Sequence, residues 1–283
     1  MVSTPADIAV VGQSILRSSL LRPVDTRRWL KPTASTTDLR INVGLSWEIL
    51  RVELPVPNSN SSTRLMDLYT KNGGGGAYFA QFALDPEHGM GFAVFVAGRP
   101  PPEGQPDLKF GEMQKLNFLV TETFAPAFEE LAMVQAKEKF AGTYADEEMT
   151  MTLVAGDGRR GVGVTNWTSL GDQRDLLASY FAALAGIFPN TSIKPSLRLY
   201  PVGLSSSEDG KIAFRGVLGV LSDQSVYSLG DKPFSRACGA WGGVGEPPYG
   251  NIGLDDFVFE VDGGGMATGV EVRGVRRTLK RVT

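Results

Sequence analysis

Apolar and polar positions alternate with two different periods along this chain. The clearest stretch is residues 67–98, DLYTKNGGGGAYFAQFALDPEHGMGFAVFVAG. Apolar runs at 67–70, 77–84 and 90–97 are separated by glycines and by an Asp-Pro segment, which predicts three strands and two turns. Pro86 fixes φ and Gly89 supplies a positive φ, so residues 85–89 suit a hairpin turn between the second and third strands. Upstream the period is helical. Thr4 can cap, Pro5 suits the first helical position and Asp7 the first turn, with Ile8, Val11, Ile15 and Leu16 on one face. Residues 24–30 read as a short helix entered through Pro23, 31–42 as a polar surface loop, 47–54 as a strand and 55–63 (PVPNSNSST) as a turn-rich connection. After a Pro/Gly loop at 99–105, residues 110–123 and 126–139 read as two helices. The second turns Phe128, Leu131, Ala132 and Gln135 inward and Glu129, Glu130, Lys137 and Glu138 outward.

The texture changes at Phe140, Gly142 and Tyr144. Short apolar stretches follow at 149–155, 162–167, 196–201, 212–221, 235–241, 257–261, 268–272 and 275–282. One helix interrupts them at 172–188, with Leu176, Leu177, Tyr180, Phe181 and Leu184 facing inward. Many short, evenly spaced strands predict a barrel or sandwich, and Gly263, Gly264 and Gly265 suit a hairpin turn. The expected division is residues 1–139 and 140–283, an α+β part followed by a mostly-β domain.

Composition narrows the classes. Of the 283 residues 42% are apolar and 21% charged, enough for packed cores and against disorder. A net charge of −3 gives no basic footprint for nucleic acid. No apolar run has the length of a membrane span, and the first residues carry no charged-then-apolar leader pattern. Cys238 is the single cysteine, so no disulfide framework forms within the chain, and a buried strand position is expected for it. Sequons stand at Asn60, Asn166 and Asn190, where about one is expected by chance. Each is either a glycan acceptor or an unused surface Asn.

Candidate chemistry centres on Lys71, at a strand end, followed by Asn72 and by Gly73, Gly74, Gly75 and Gly76. Consecutive glycines let a ligand approach the backbone. A phosphate loop is excluded because its Lys follows the glycines. His88 sits in a turn, no Gly-x-Ser-x-Gly elbow exists, and a solvated turn residue is expected there. The acidic runs 146–148 and 255–256 lack metal-ligand spacing and suit turns and strand ends.

The order of strand, Lys71-Asn72-Gly73, small residues, strand, Asp85-Pro86 turn and apolar strand resembles the third sequence box of the β-lactamase and penicillin-binding-protein superfamily of serine hydrolases. Ser46-Trp47-Glu48-Ile49 resembles the strand before that box. Phe140-Ala141-Gly142-Thr143-Tyr144, Trp241, Tyr249-Gly250 and 254–257 resemble the lipocalin-like β domain that follows the hydrolase domain in fungal β-lactamase-related proteins. The resemblance implies an incomplete β-lactamase/transpeptidase-like antiparallel sheet with helices, then a β barrel or sandwich. It implies a site wall in which Lys71 supplies positive charge, Asn72 replaces the usual Thr or Ser, and the Gly74 N–H is an oxyanion donor. Gly75 and Gly76 would then line the substrate, an ester, amide or β-lactam, with no cofactor or metal. Lys71 read without the resemblance is an exposed strand-end lysine.

That chemistry also needs Ser-x-x-Lys and Tyr-x-Asn boxes upstream. No Lys of this chain has a Ser three residues before it, and the one Tyr-x-Asn, at Tyr249 and Asn251, lies far downstream. The chain therefore reads as the C-terminal part of such a hydrolase, begun inside a domain and inactive as given. The other class is a truncated, non-catalytic binding or scaffold protein, or an incomplete gene model. The compartment stays open, although the family is mostly secreted. In the family, strands from the domain's N-terminus pair with the strand matching 90–97, so residues 91–97 (GFAVFVA), between Gly91 and Ala97, are expected to present an open edge.

Overall fold

The computed structural model describes residues 3–60, 62–99, 102–104, 108–185, 194–206, 210–220 and 240–282. Two compact units make up the chain, one of residues 1–56 and 61–132, the other of 57–60 and 133–283.

The first unit is built on a six-stranded antiparallel meander. Its strands are β1 (Pro32–Ser35), β2 (Ile41–Gly44), β3 (Glu48–Pro55), β4 (Thr63–Gly75), β5 (Tyr78–Asp85) and β6 (Met90–Ala97), each paired with the next. The strands read from 67–70, 77–84 and 90–97 are the last three, with β4 longer at both ends. β1 and β2 are a correction, because 31–42 read as a loop. β1 is an exposed edge strand and β2, beside it, is four residues long and only partly covered, so neither buries enough to impose a readable pattern.

Successive side chains of a strand point to opposite faces, and both faces of this sheet are covered. On one, Ile49, Tyr69 and Leu84 lie in register across β3, β4 and β5. With Trp47 they form a core against Ile15 and Leu16 of α1 (Pro5–Leu16) and Trp29 of α2 (Pro23–Trp29). The expected Thr4 cap is present as a reciprocal capping box with Asp7. Val11, expected on the buried face, is 45% exposed, and Gly12 is the buried residue instead. The opposite face packs Leu54, Met66, Leu68 and Ala83 against Ala125 of α3 (Lys109–Phe140). That helix runs unbroken through Pro126, where two helices were expected. Pro removes one N–H and disfavours the helix interior, but the neighbouring Ala125 is buried against the sheet, and that packing carries the helix past it. Among the described residues, no helix is long and apolar enough to cross a membrane.

The second unit is a closed antiparallel barrel of eight strands in the order β10-β11-β14-β15-β16-β7-β8-β9. These are β7 (Gly142–Ala145), β8 (Met149–Val154), β9 (Val162–Ser169), β10 (Pro195–Ser206), β11 (Lys211–Val220), β14 (Asp256–Val261), β15 (Ala267–Val272) and β16 (Arg277–Arg281). A small hairpin, β12 (Pro248–Tyr249) with β13 (Ile252–Gly253), stands apart. Of the expected strand 235–241, residues 235–239 lie outside the described residues and Ala240 and Trp241 begin a helical turn. Cys238 falls in the same undescribed stretch.

Alternate residues of the barrel strands fill its interior, including Tyr144, Met151, Leu153, Leu197, Leu199, Phe257, Phe259, Val270, Val272 and Leu279, each at most 1% exposed. Phe140, in the last turn of α3, packs edge-to-face with Phe214 and Phe259 at ring distances of 5.2 and 5.0 Å. Leu177 and Tyr180 of α4 (Leu176–Ala185) join the core, and the Tyr180 ring stands edge-on to Trp167. This helix begins later than the expected 172, after Asp175, whose carboxylate accepts from the Ala178 N–H.

Candidate functional site

β4 outruns β3. Its pairing with β3 begins at Pro55↔Thr63 and ends at Glu48↔Thr70, whereas its ladder with β5 continues to Gly75↔Tyr78. No described strand pairs with Lys71, Asn72, Gly73, Gly74 or Gly75 on the β3 side, and all of them, with Gly76, are exposed. An edge of this kind presents main-chain N–H and C=O groups to an incoming extended chain. Side chains leave it clear: a Cβ built at Gly73 or Gly75 meets nothing within 4 Å. At Gly74 a Cβ would stand 2.8 Å from the Phe79 ring, so that position needs glycine for packing.

Glu48, the first residue of β3, organises the head of this overhang. One carboxylate oxygen pairs with the Lys71 ammonium and the other accepts from the Asn72 amide at 2.8 Å. Lys71, expected at a strand end, instead lies inside β4 just past the end of its pairing with β3, held in one direction and still half exposed. Sequence reasoning placed Glu48 in the preceding strand without giving it a role. The missing information was register, since Glu48 reaches these side chains because it lies opposite Thr70.

A second constellation lies at the far end of the β5–β6 hairpin, and it corrects the reading of His88 as a solvated turn residue. The His88 side chain is 4% exposed. Its Nδ1 lies 2.5 Å from Asp85 Oδ2 and its Nε2 lies 3.0 Å from Glu129 Oε2. Arg64 grips Glu129 with two donors, Nε at 2.7 Å and Nη2 at 2.5 Å, and reaches Glu87 with Nη1 at 3.0 Å. Asp85 Oδ1 also accepts from the N–H groups of Glu87 and His88, which shapes the turn. Glu129, expected on the solvated side of its helix, faces this cluster. A ring with a carboxylate on each nitrogen must donate from both, which makes it an imidazolium. Hydrogen bonds to Asp85 and then Glu129 raise the His88 pKa to about 9, against burial and the Arg64 charge. Burial works against the Glu129 carboxylate, yet His88 and Arg64 hold its pKa down at about 2. Two cations, Arg64 and His88, are shared among three carboxylates, a network that fastens the hairpin and β4 to α3. His88 and Asp85 are closed off from solvent, and Glu87 is its exposed member.

Asn60 and Asn166 are exposed, as a glycan acceptor requires, and Asn190 lies outside the described residues. Asn166 Oδ1 accepts from the Thr168 hydroxyl of its own sequon at 2.6 Å. Asp146 caps a turn and pairs with Arg277, and Asp255, wholly buried, holds Arg215 and the Gly245 N–H. Among the described residues, no group of His, Cys, Asp and Glu could hold a metal ion.

Residues 132–283 match the family model described as "Beta-lactamase-like-like, C-terminal domain". A "Beta-lactamase-like protein" of Arthroderma benhamiae is 24% identical over 98% of this chain and 48% of its own length. "Beta-lactamase-like protein str6" of Strobilurus tenacellus is 29% identical over 45% of this chain and 36% of its own. The chain thus spans about half, or less, of these curated relatives. The octameric penicillin-binding protein homologue from Pyrococcus abyssi aligns at 17% identity over 78% of this chain and 44% of its own, with a TM-score of 0.29, too low to bear on the fold. With more than half its length matched by that family model, this chain belongs to the β-lactamase-like C-terminal-domain family.

Proposed function

We propose that this chain is the wall-forming part of a β-lactamase-related serine hydrolase that cleaves an ester, amide or β-lactam-like bond through an acyl-serine. The observation that carries the reading is the glycine overhang of β4, headed by Lys71 and Asn72, which share the Glu48 carboxylate. An acyl group laid along that edge would find main-chain donors, a cation and an amide in one row. Lys71 would supply positive charge beside the nucleophile, and the Gly74 N–H one oxyanion contact. Gly73, Gly75 and Gly76 would leave room for the substrate. The serine and its Lys partner would come from outside these 283 residues, which contain no Ser-x-x-Lys. Residues 91–97 of the edge strand β6 would then pair with a strand of that other portion. In this reading residues 1–139 belong to the hydrolase domain and 140–283 form its lipocalin-like companion, with Asn60 and Asn166 as glycan acceptors.

Hydrolysis of nitrocefin and p-nitrophenyl acetate by the protein isolated from its source tests this. Turnover that Lys71→Ala reduces by about a hundredfold or more, the scale of a lost transition-state donor, supports it. Turnover indifferent to Lys71 removes it. The open main-chain edge at Gly73 and Gly75, clear of side chains, favours a second reading, a non-catalytic module that uses the same edge to bind an extended peptide. That reading expects peptide binding without hydrolysis.

A further inference from the structure

A concave cleft of about 360 Å³ opens in the first unit, between α2 and the segment after it on one side and β3, β4 and the β5–β6 turn on the other. Three cations from separate elements line it: Arg27 of α2, Lys31 just beyond that helix, and Arg51 of β3. Its two acids are already engaged, Asp67 with Arg51 at 3.3 Å and Glu87 with Arg64 at 2.8 Å. Arg27 and Lys31 have no acidic partner among the described residues. The remaining wall is apolar, made by Leu30, Leu65 and Pro86, with Leu65 50% exposed into the opening. Tyr69 closes the floor, and its hydroxyl is spent on the Leu30 carbonyl at 2.8 Å.

Cations gathered in a concavity with low-dielectric walls focus their field on it, and a guanidinium presents a donor fork that fits a carboxylate. A bare inorganic anion would leave the apolar wall unused. The volume is that of a small-molecule site at the lower end of the usual range of roughly 300–1,000 Å³. We propose that this cleft binds a small monocarboxylate, its carboxylate held by Arg27 and Lys31 and its apolar tail laid against Leu30, Leu65 and Pro86. The site is separate from the β4 overhang and stands whether or not the chain takes part in hydrolysis.

Isothermal titration of the full chain with hexanoate, hexanol and inorganic phosphate tests it. The expected result is saturable hexanoate binding, weakened about tenfold or more in Arg27→Gln/Lys31→Gln, a change of about 1.4 kcal/mol. Arg28→Gln, beside the cleft but not lining it, and Lys71→Ala should leave hexanoate affinity unchanged. Hexanol and phosphate should each bind more weakly than hexanoate. Far-ultraviolet dichroism keeps loss of folding distinct from loss of binding. The proposal is overturned if hexanoate does not saturate the folded chain, if Arg28→Gln weakens binding as much as the double change, or if phosphate or hexanol binds as tightly.

Discussion

Asn72 donates its side-chain amide to the carboxylate of Glu48, 2.8 Å away, and the same carboxylate pairs with Lys71. This links the first residue of β3 to the point where β4 continues without it. Because the Lys71–Glu48 pair is largely exposed, its worth to folding is small. Glu48→Gln should move stability by less than about 1 kcal/mol in urea unfolding. In a protein that turns over ester or β-lactam, the same change should lower the rate, because it releases the cation and amide from their shared direction.

The glycines of the overhang should separate in a stability series. Gly74→Ala forces a methyl group against Phe79 and should cost about 1–3 kcal/mol. Gly73→Ala meets nothing within 4 Å and should be neutral or stabilising by about 0.4–1 kcal/mol, through the unfolded chain. Urea midpoints read both. Equal costs at the two positions would contradict the packing described for β4 and β5.

The His88 cluster predicts the shape of stability against pH. His88 has a raised folded pKa, so its contribution is complete below its ordinary 6.5 and is lost as pH climbs through about 9. Glu129 has a depressed one, so its contribution is complete above 4.5 and is lost as pH falls through about 2. Melting temperature should therefore be highest between about pH 4.5 and 6.5 as far as this cluster decides it. Replacing His88 with Ala leaves Asp85 and Glu129 without their shared cation, which should cost about 3–5 kcal/mol near neutrality and flatten the alkaline limb.

The barrel interior is occupied by its own side chains, which bears on what the second unit can bind. Phe259, with no exposed surface, packs edge-to-face with Phe214, Phe140 and Tyr144. Phe259→Ala should cost about 3–5 kcal/mol by thermal or urea unfolding. Retinol, which has no carboxylate, should show no saturable fluorescence change with the unmodified protein, because the space it would need in the barrel is filled. Stoichiometric binding in the barrel would overturn that packing.

Legibility in the sequence followed how much of each element is buried. β6 was readable to the residue, since its apolar run is framed by an Asp-Pro turn and a Gly. Thr4, Pro5 and Asp7 announced α1 because capping is local chemistry. β1 and β2 were invisible because each is four residues long and buries no residue, too little to impose an apolar pattern. Pro126 read as a break because local propensity cannot register the tertiary packing that carries α3 past it. Lys71 and the glycines stood out by composition, but Glu48 did not, since its role depends on the β3–β4 register. His88 was misread for a related reason: one of its partners, Glu129, comes from a distant helix.

The most direct measurement is mass spectrometry of the protein isolated from its source after reaction with a fluorophosphonate or penicillin reagent, with and without Lys71→Ala. A covalent adduct on a serine outside residues 1–283 is expected, formed much more slowly in the Lys71→Ala protein. An absent adduct, or one whose rate ignores Lys71, would contradict the claim that the glycine overhang of β4 lines an acyl-transfer site.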